Sequence, residues 1–260
     1  MIDTHAHLDQ PEFDADRLLV IDRALHEGVS IILCVGTSAD SSAAAVQLAT
    51  ECETVYAAVG IQPNYVAEAG KSDWTRVAEL AAKPQVVAIG ETGLDRHWDF
   101  APFGVQQDYF DRHLRLAQEF RLPVVVHCRE AEADLVPMLR DAAKKGPLRG
   151  VLHSFSGGAD FAEECLELGL FLSFSGMVTY LNGKFRPLRE IARTVPEDRL
   201  LIETDSPYLV PHPLRGRQKR NEPAHLRFVA GSLAELRNVG LGHLVDVTSA
   251  NARRLFSIGP

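Results

Sequence analysis

Met1-Ile2-Asp3-Thr4-His5-Ala6-His7-Leu8-Asp9 opens the chain, and its reading decides between the two architectures that alternating strands and helices allow. An open doubly wound sheet carries a glycine-rich, phosphate-cradling turn directly after its first strand. Here that position holds Thr4-His5-Ala6-His7-Leu8-Asp9, with two imidazoles, a carboxylate and no glycine. This chemistry argues against a dinucleotide enzyme. It suits a closed parallel barrel, whose functional side chains gather at the C-terminal ends of its strands.

Beyond this stretch the pattern repeats. Short apolar runs fall at residues 1–6, 30–35, 55–60, 86–90, 123–127, 150–153, 170–174 and 199–202. Amphipathic stretches of helical period separate them at 14–27, 41–52, 73–82, 103–119, 131–144 and 159–168, with a weaker one at 187–194. Eight strands, each followed by something helical, predict an α/β fold of the (β/α)₈ TIM-barrel type. Residues 206–223, rich in Pro, Arg and Gly, cannot form a long helix. Additional C-terminal helices are expected at 224–237 and 241–255, the first closing the barrel wall and the second covering it. Asn221 is the expected cap where a helix starts near Pro223. With no linker or low-complexity tract, residues 1–260 read as a single domain.

Composition bounds the function. The 260 residues are 46% hydrophobic and 24% charged, and the formal net charge is −8. Such a balance disfavours a broad footprint on duplex DNA or a membrane, though not a local phosphate-binding patch. The acidic Asp3 and Asp9 and the imidazoles of His5 and His7 stand where a signal peptide needs an apolar core. No apolar run reaches the roughly 18 residues of a membrane span. Cys34, Cys52, Cys128 and Cys165 are widely spaced, without a Cys-x-x-Cys pair, so a reduced, cytoplasmic chain is expected. A monomer is the default, since no interface stripe is evident.

In a strand, alternate side chains share a face, so His5 and His7 can both point to the barrel axis while Thr4 and Ala6 turn to the helices. Alone, His-x-His is as readily a surface pair as a ligand pair. The other strand ends change the balance. The fourth runs into Gly90-Glu91-Thr92-Gly93-Leu94-Asp95, the fifth into Val126-His127-Cys128-Arg129, the sixth into Leu152-His153-Ser154-Phe155-Ser156-Gly157 and the eighth into Ile202-Glu203-Thr204-Asp205-Ser206-Pro207. A carboxylate such as Glu91 after an apolar run is expensive to bury without a partner. Four imidazoles and at least two carboxylates at the same ends of parallel strands exceed the needs of one tetrahedral ion. They suit two divalent ions bridged by a carboxylate. Mixed imidazole and carboxylate donors fit Zn²⁺, Mn²⁺ or similar ions, while Mg²⁺ usually takes more oxygen. Cys128 should point away from His127 and be structural.

These motifs, together with Asp3–Asp9, Glu203-Thr204-Asp205-Ser206-Pro207-Tyr208-Leu209 and the terminal Val247-Thr248-Ser249-Ala250-Asn251-Ala252-Arg253-Arg254-Leu255-Phe256, resemble the TatD family of metal-dependent deoxyribonucleases. That family lies within the amidohydrolase-like barrel superfamily. The similarity extends from Ile2 to about Phe256. It implies a barrel phosphodiesterase holding two or three divalent cations, with Mg²⁺, Mn²⁺ or Zn²⁺ as candidates. By the family pattern His5 and His7 bind one metal, His127 and His153 the second, and Glu91 bridges them. Asp205 joins the first metal and acts as general base towards the attacking water. The resemblance also implies 3′–5′ exonuclease or apurinic-site endonuclease activity, with DNA as partner, as single strands or frayed 3′ ends. Glu203, two residues before Asp205, is expected to support a ligand histidine, the alternative being a buried ion pair. Arg129 is a candidate contact to the scissile phosphate, as is the basic run Arg215-Gly216-Arg217-Gln218-Lys219-Arg220-Asn221-Glu222-Pro223, although such runs are usually solvated surface.

Two departures from the family pattern stand out. Gly60-Ile61-Gln62-Pro63 replaces a Gly-x-His-Pro motif, and Gln62 cannot act as an acid or base near neutral pH. Arg96-His97-Trp98 follows Gly-Leu-Asp, where His97 or Trp98 faces substrate on this reading. Two further readings compete with a nuclease. One is a binuclear hydrolase of a small phosphoester, amide or lactone, which a closed apolar pocket would favour. The other is a non-catalytic DNA-binding or scaffold protein, against which the complete ligand set argues.

Overall fold

The computed structural model describes residues 1–259. Eight strands lie side by side in chain order, and every neighbouring pair is parallel. They are β1 (Ile2–Ala6), β2 (Ile31–Val35), β3 (Val55–Val59), β4 (Val86–Asp95), β5 (Val124–Arg129), β6 (Gly150–Leu152), β7 (Phe171–Phe174) and β8 (Leu200–Ile202). The helices α1 (Arg17–His26), α2 (Ala39–Glu51), α3 (Asp73–Leu80), α4 (Phe103–Phe120), α5 (Glu132–Lys145), α6 (Ala159–Glu167) and α7 (Arg186–Thr194) connect them, and α8 (Leu226–Arg237) and α9 (Leu241–Phe256) follow. This is the expected (β/α)₈ barrel with additional C-terminal helices.

The ring is nearly closed. Past β8 the chain returns to β1 through a bridge between Ala6 and Ser206. Asp205 N–H donates to the His5 carbonyl at 2.9 Å, and His7 N–H donates to Ser206 at 2.8 Å. Asp3 staples the same seam: its carboxylate accepts the Thr204 N–H at 2.9 Å and the Thr204 hydroxyl at 2.6 Å. The motifs at the ends of the first and last strands are thereby neighbours.

Alternation along the apolar strands sorts side chains into two layers. Ile32, Cys34, Val124 and Val126 pack outward with the helices, while Leu33, Val35, Val125, Val151 and Leu201 form an inner core. That inner core also includes Ala252, Leu255, Phe256 and Ile258, at and just beyond the end of α9. The guanidinium of Arg149, just ahead of β6, donates to the carbonyl of Leu255. The final helix therefore stops the N-terminal end of the barrel, opposite the end that carries the polar motifs. Burying a large aliphatic side chain stabilises by roughly 1.5–3 kcal/mol, so this layered core holds the strand ends rigidly.

Three local expectations change. The fourth strand does not end at Gly90 but runs on to Asp95. Gly93 makes this possible: its φ is +145°, and a Cβ there would sit 1.9 Å from the His127 carbonyl oxygen, so only glycine lets the two strands approach. Thr4 does not turn to the helical layer. Register shifts between Asp3 and Ala6, and the Thr4 hydroxyl donates to Ile202 O at 3.0 Å and lies 3.2 Å from Ser173 Oγ. Finally, Glu222 rather than Asn221 caps the short turn Pro223–His225 ahead of α8. Asn221 instead donates its amide to the Thr204 carbonyl at 2.9 Å, holding the chain beyond β8 in place.

Candidate metal centre

Five of the eight strand ends deliver parts of a polar cluster into the mouth of the barrel. His5 lies on β1 and His7 just beyond it, either side of Ala6, which packs outward. Glu91 and His127 come from β4 and β5, His153 follows β6, and Glu203 and Asp205 follow β8. His5, His7, Glu91, His153 and Glu203 are buried. All six residues expected to hold metal are brought together here.

Glu91 stands at the middle. Its Oε2 lies 3.5 Å from His5 Nε2 and 3.6 Å from His7 Nε2. Its Oε1 lies 3.0 Å from His127 Nδ1 and 3.1 Å from His153 Nε2. Asp205 Oδ1 completes the first group, 3.8 Å from His5 Nε2 and 3.5 Å from His7 Nε2. The rings of His5 and His153 stack with centroids 4.0 Å apart, so the two groups are adjacent.

Surrounding groups settle which nitrogen faces inward. His7 Nδ1–H donates to the Val35 carbonyl at 2.8 Å, which turns Nε2 to the centre. His127 Nε2–H donates to Asp95 at 3.0 Å, which leaves Nδ1 for the centre. Glu203 Oε1 accepts the Ser154 N–H at 2.5 Å and lies 3.5 Å from His153 Nδ1. Glu203 thus stands beside His153 on the side of the ring away from Glu91.

The donor chemistry fits divalent cations. His5 Nε2 and His7 Nε2 face each other at 3.1 Å. A single proton between them satisfies one lone pair, whereas one cation accepts both. The ligand atoms of His5, His7 and Glu91 lie within 4.8 Å of one another, as do those of Glu91, His127 and His153, so each half of the cluster could hold an ion. The protonation preferences agree. Burial resists charge on Glu91, yet His153, His127 and His5 outweigh it and hold the carboxyl well below its usual range. Burial likewise opposes charge on His7, but Asp205 and Glu91 carry it up to about 9. Burial together with the charge of His153 lowers His5. Without a cation the ionised acids draw His7, His127 and His153 towards the charged form, and a bound cation would displace those protons.

Asp95 has a role that its sequence position did not announce. Besides His127 it binds Asn64, whose amide donates to Asp95 Oδ2 at 3.0 Å, and Asn64 N–H in turn donates to Gln62 Oε1 at 2.8 Å. The substituted Gln62 therefore belongs to a chain of bonds that ends on His127. Only the general habit of ligand histidines to bond a carboxylate on their far side pointed to such a residue.

Part of the basic run is engaged within the protein. Arg220 does not project to the mouth as a free cation; it is tied to Asp16 at 2.7 and 2.8 Å and to Glu222 at 2.8 Å. Arg215 lies over the Tyr180 ring at 3.9 Å. Arg217 and Lys219 are exposed. Arg129 is exposed at the end of β5, with its guanidinium 5.7 Å from the Trp98 ring centre. His97 engages Glu130 at 2.8 Å. Cys128 is partly buried and its thiol is desolvated, as expected of a structural residue.

The chain is similar to known proteins over nearly its whole length. A family model described as TatD related DNase matches residues 2–257. An uncharacterized metal-dependent hydrolase, YabD of Bacillus subtilis, is 41% identical over 99% of both chains. The 3′-5′ ssDNA/RNA exonuclease TatD of Musicola paradisiaca is 38% identical over 100% of this chain and 98% of its own. The crystal structure of YjjV, a TatD homologue from Escherichia coli K12, superposes with a TM-score of 0.92 at 30% identity, covering 100% of this chain and 98% of the other.

Proposed function

Because this chain belongs to the TatD family and is a metal-dependent hydrolase, we propose that it is a two-metal phosphodiesterase that shortens single-stranded or frayed DNA from the 3′ end. The observation that carries this reading is the division of Glu91, one oxygen towards His5 and His7 and the other towards His127 and His153. The exonuclease name of the Musicola relative supports the substrate class.

On this reading His5, His7, Asp205 and Glu91 hold one divalent cation, and His127, His153 and Glu91 hold a second. Mg²⁺, Mn²⁺ and Zn²⁺ are the candidates. When bound, such ions activate water and neutralise charge that develops on a phosphoryl group. Asp205 orients the attacking water and accepts its proton, because its carboxyl is held ionised: burial opposes this, but His7, His5 and His153 outweigh it. Glu203 keeps His153 turned to Glu91. Arg129 contacts a phosphate oxygen of the strand.

Every group in this scheme comes from one chain, so a monomer suffices. Among the described residues no helix is long and apolar enough to cross a membrane. The four cysteines are unpaired, which suits work in the reducing cytoplasm.

The deciding experiment presents 5′-labelled single-stranded DNA to metal-free protein and restores Mg²⁺, Mn²⁺ or Zn²⁺ separately. The expected result is a ladder shortening from the 3′ end, absent from a His127→Ala, His153→Ala variant. A folded, metallated sample that leaves DNA intact overturns the nuclease reading in favour of a small phosphoester, amide or lactone substrate.

A further inference from the structure

Trp98 and Phe100 are 45% and 62% exposed, and their rings lie parallel, 5.4 Å apart at 10°. Two large rings stacked on each other and left in water are unusual, because aromatic area is what folding normally buries. Their place on the rim is not loose. Asp95 Oδ1 accepts the N–H of His97 at 2.8 Å and of Trp98 at 3.0 Å, while Oδ2 accepts His127 Nε2–H at 3.0 Å. One buried carboxylate therefore ties the aromatic pair to a candidate metal ligand. His97 packs edge-on against Trp98 at 4.8 Å and is itself fixed by Glu130.

A cation adjoins the rings. Arg129 pairs with Asp95 in the register of β4 and β5. Its guanidinium stands 5.7 Å from the Trp98 ring centre and makes no ion pair among the described residues. A flat apolar face beside an unpaired guanidinium matches the two halves of a nucleotide, a base with a π-face and a phosphate.

We propose that Trp98 and Phe100 form a stacking shelf for an unpaired nucleobase, with Arg129 holding the adjoining phosphate, next to the nucleotide being removed. This subsite rests on the nuclease reading and deepens it. Bases inside a duplex have both faces covered by their neighbours, so the shelf selects unpaired ends. It also gives a chain of net charge −8 a hold on the strand that does not depend on a broad basic surface.

The test compares steady-state cleavage of a single-stranded oligonucleotide with that of the same strand made abasic at the positions preceding its terminal nucleotide. Base stacking predicts that the abasic strand raises KM about ten-fold for the wild-type protein. Trp98→Ala and Phe100→Ala should collapse that ratio towards one, and Trp98→Tyr should restore it. If the wild type cleaves both strands with the same KM, or if Trp98→Ala keeps the full ratio, the shelf is overturned while the nuclease reading stands. If the wild type cleaves neither strand, the nuclease reading fails and the shelf fails with it.

Discussion

Asp95 accepts the Nε2–H of His127 at 3.0 Å, so the only ring nitrogen that His127 can offer Glu91 is Nδ1, 3.0 Å away. A carboxylate on one side of an imidazole thus decides what the other side presents.

Asp95→Asn should therefore disturb one cation more than the other. An amide can donate to His127 Nε2 and drive the proton to the nitrogen that faces Glu91. Calorimetric titration of the metal-free variant should show one of two sites weakened by about 10- to 100-fold, with the His5–His7 site little changed. Two unaltered affinities would sink the assignment.

Asp205→Asn should lower turnover by about 10²- to 10⁴-fold, the range expected for removal of a positioned base. Metal content must be measured on the same sample, because Asp205 also faces His5 and His7 at 3.8 and 3.5 Å. Near-normal turnover with a full metal complement excludes Asp205 as the base.

Gly93→Ala should unfold or loosen the β4–β5 seam, since its Cβ would meet the His127 carbonyl at 1.9 Å on a backbone with φ +145°. A loss of more than about 3 kcal/mol is expected for a strained, backbone-blocked site. Denaturant unfolding of the metal-free protein measures it, and a loss under about 1 kcal/mol would contradict the packing described.

His113 should make the fold acid-sensitive. Its Nε2 accepts the Ile61 N–H at 3.0 Å and its Nδ1–H donates to the Tyr109 carbonyl at 2.6 Å, so the neutral ring is fully used. Burial lowers its pKa from 6.5 to about 4. The unfolded chain then takes up this proton before the folded one does. The contribution is complete above pH 6.5, drains away as pH falls, and is gone below about 4. It amounts to about 3 kcal/mol. Urea midpoints at pH 7 and pH 4.5 should fall further for the wild type than for His113→Gln, and equal falls would refute the role.

Much of this was legible in the sequence because each ligand candidate follows an apolar run whose end is easily seen. Val124-Val125-Val126 announces His127, and Val151-Leu152 announces His153. The barrel order follows from counting such runs. What stayed hidden depends on separation in the chain. Asp95 meets His127 across 32 residues, and Arg220 meets Asp16 across 204, so a basic run that reads as a phosphate contact is in part an internal clasp. The extension of β4 was also hidden, because Gly90 and Gly93 look like a strand's end. Their positive φ values of 144° and 145° serve instead to carry it past its neighbour.

Leu255 and Phe256, seated in the inner core beneath the strands, make the barrel a well with a floor. Traffic through such a well runs one way in and the same way out. On the exonuclease reading, a strand end cannot thread through the barrel, so the released piece leaves by the opening it entered. With the packed inner core beneath the polar cluster, entry, chemistry and release all share the mouth.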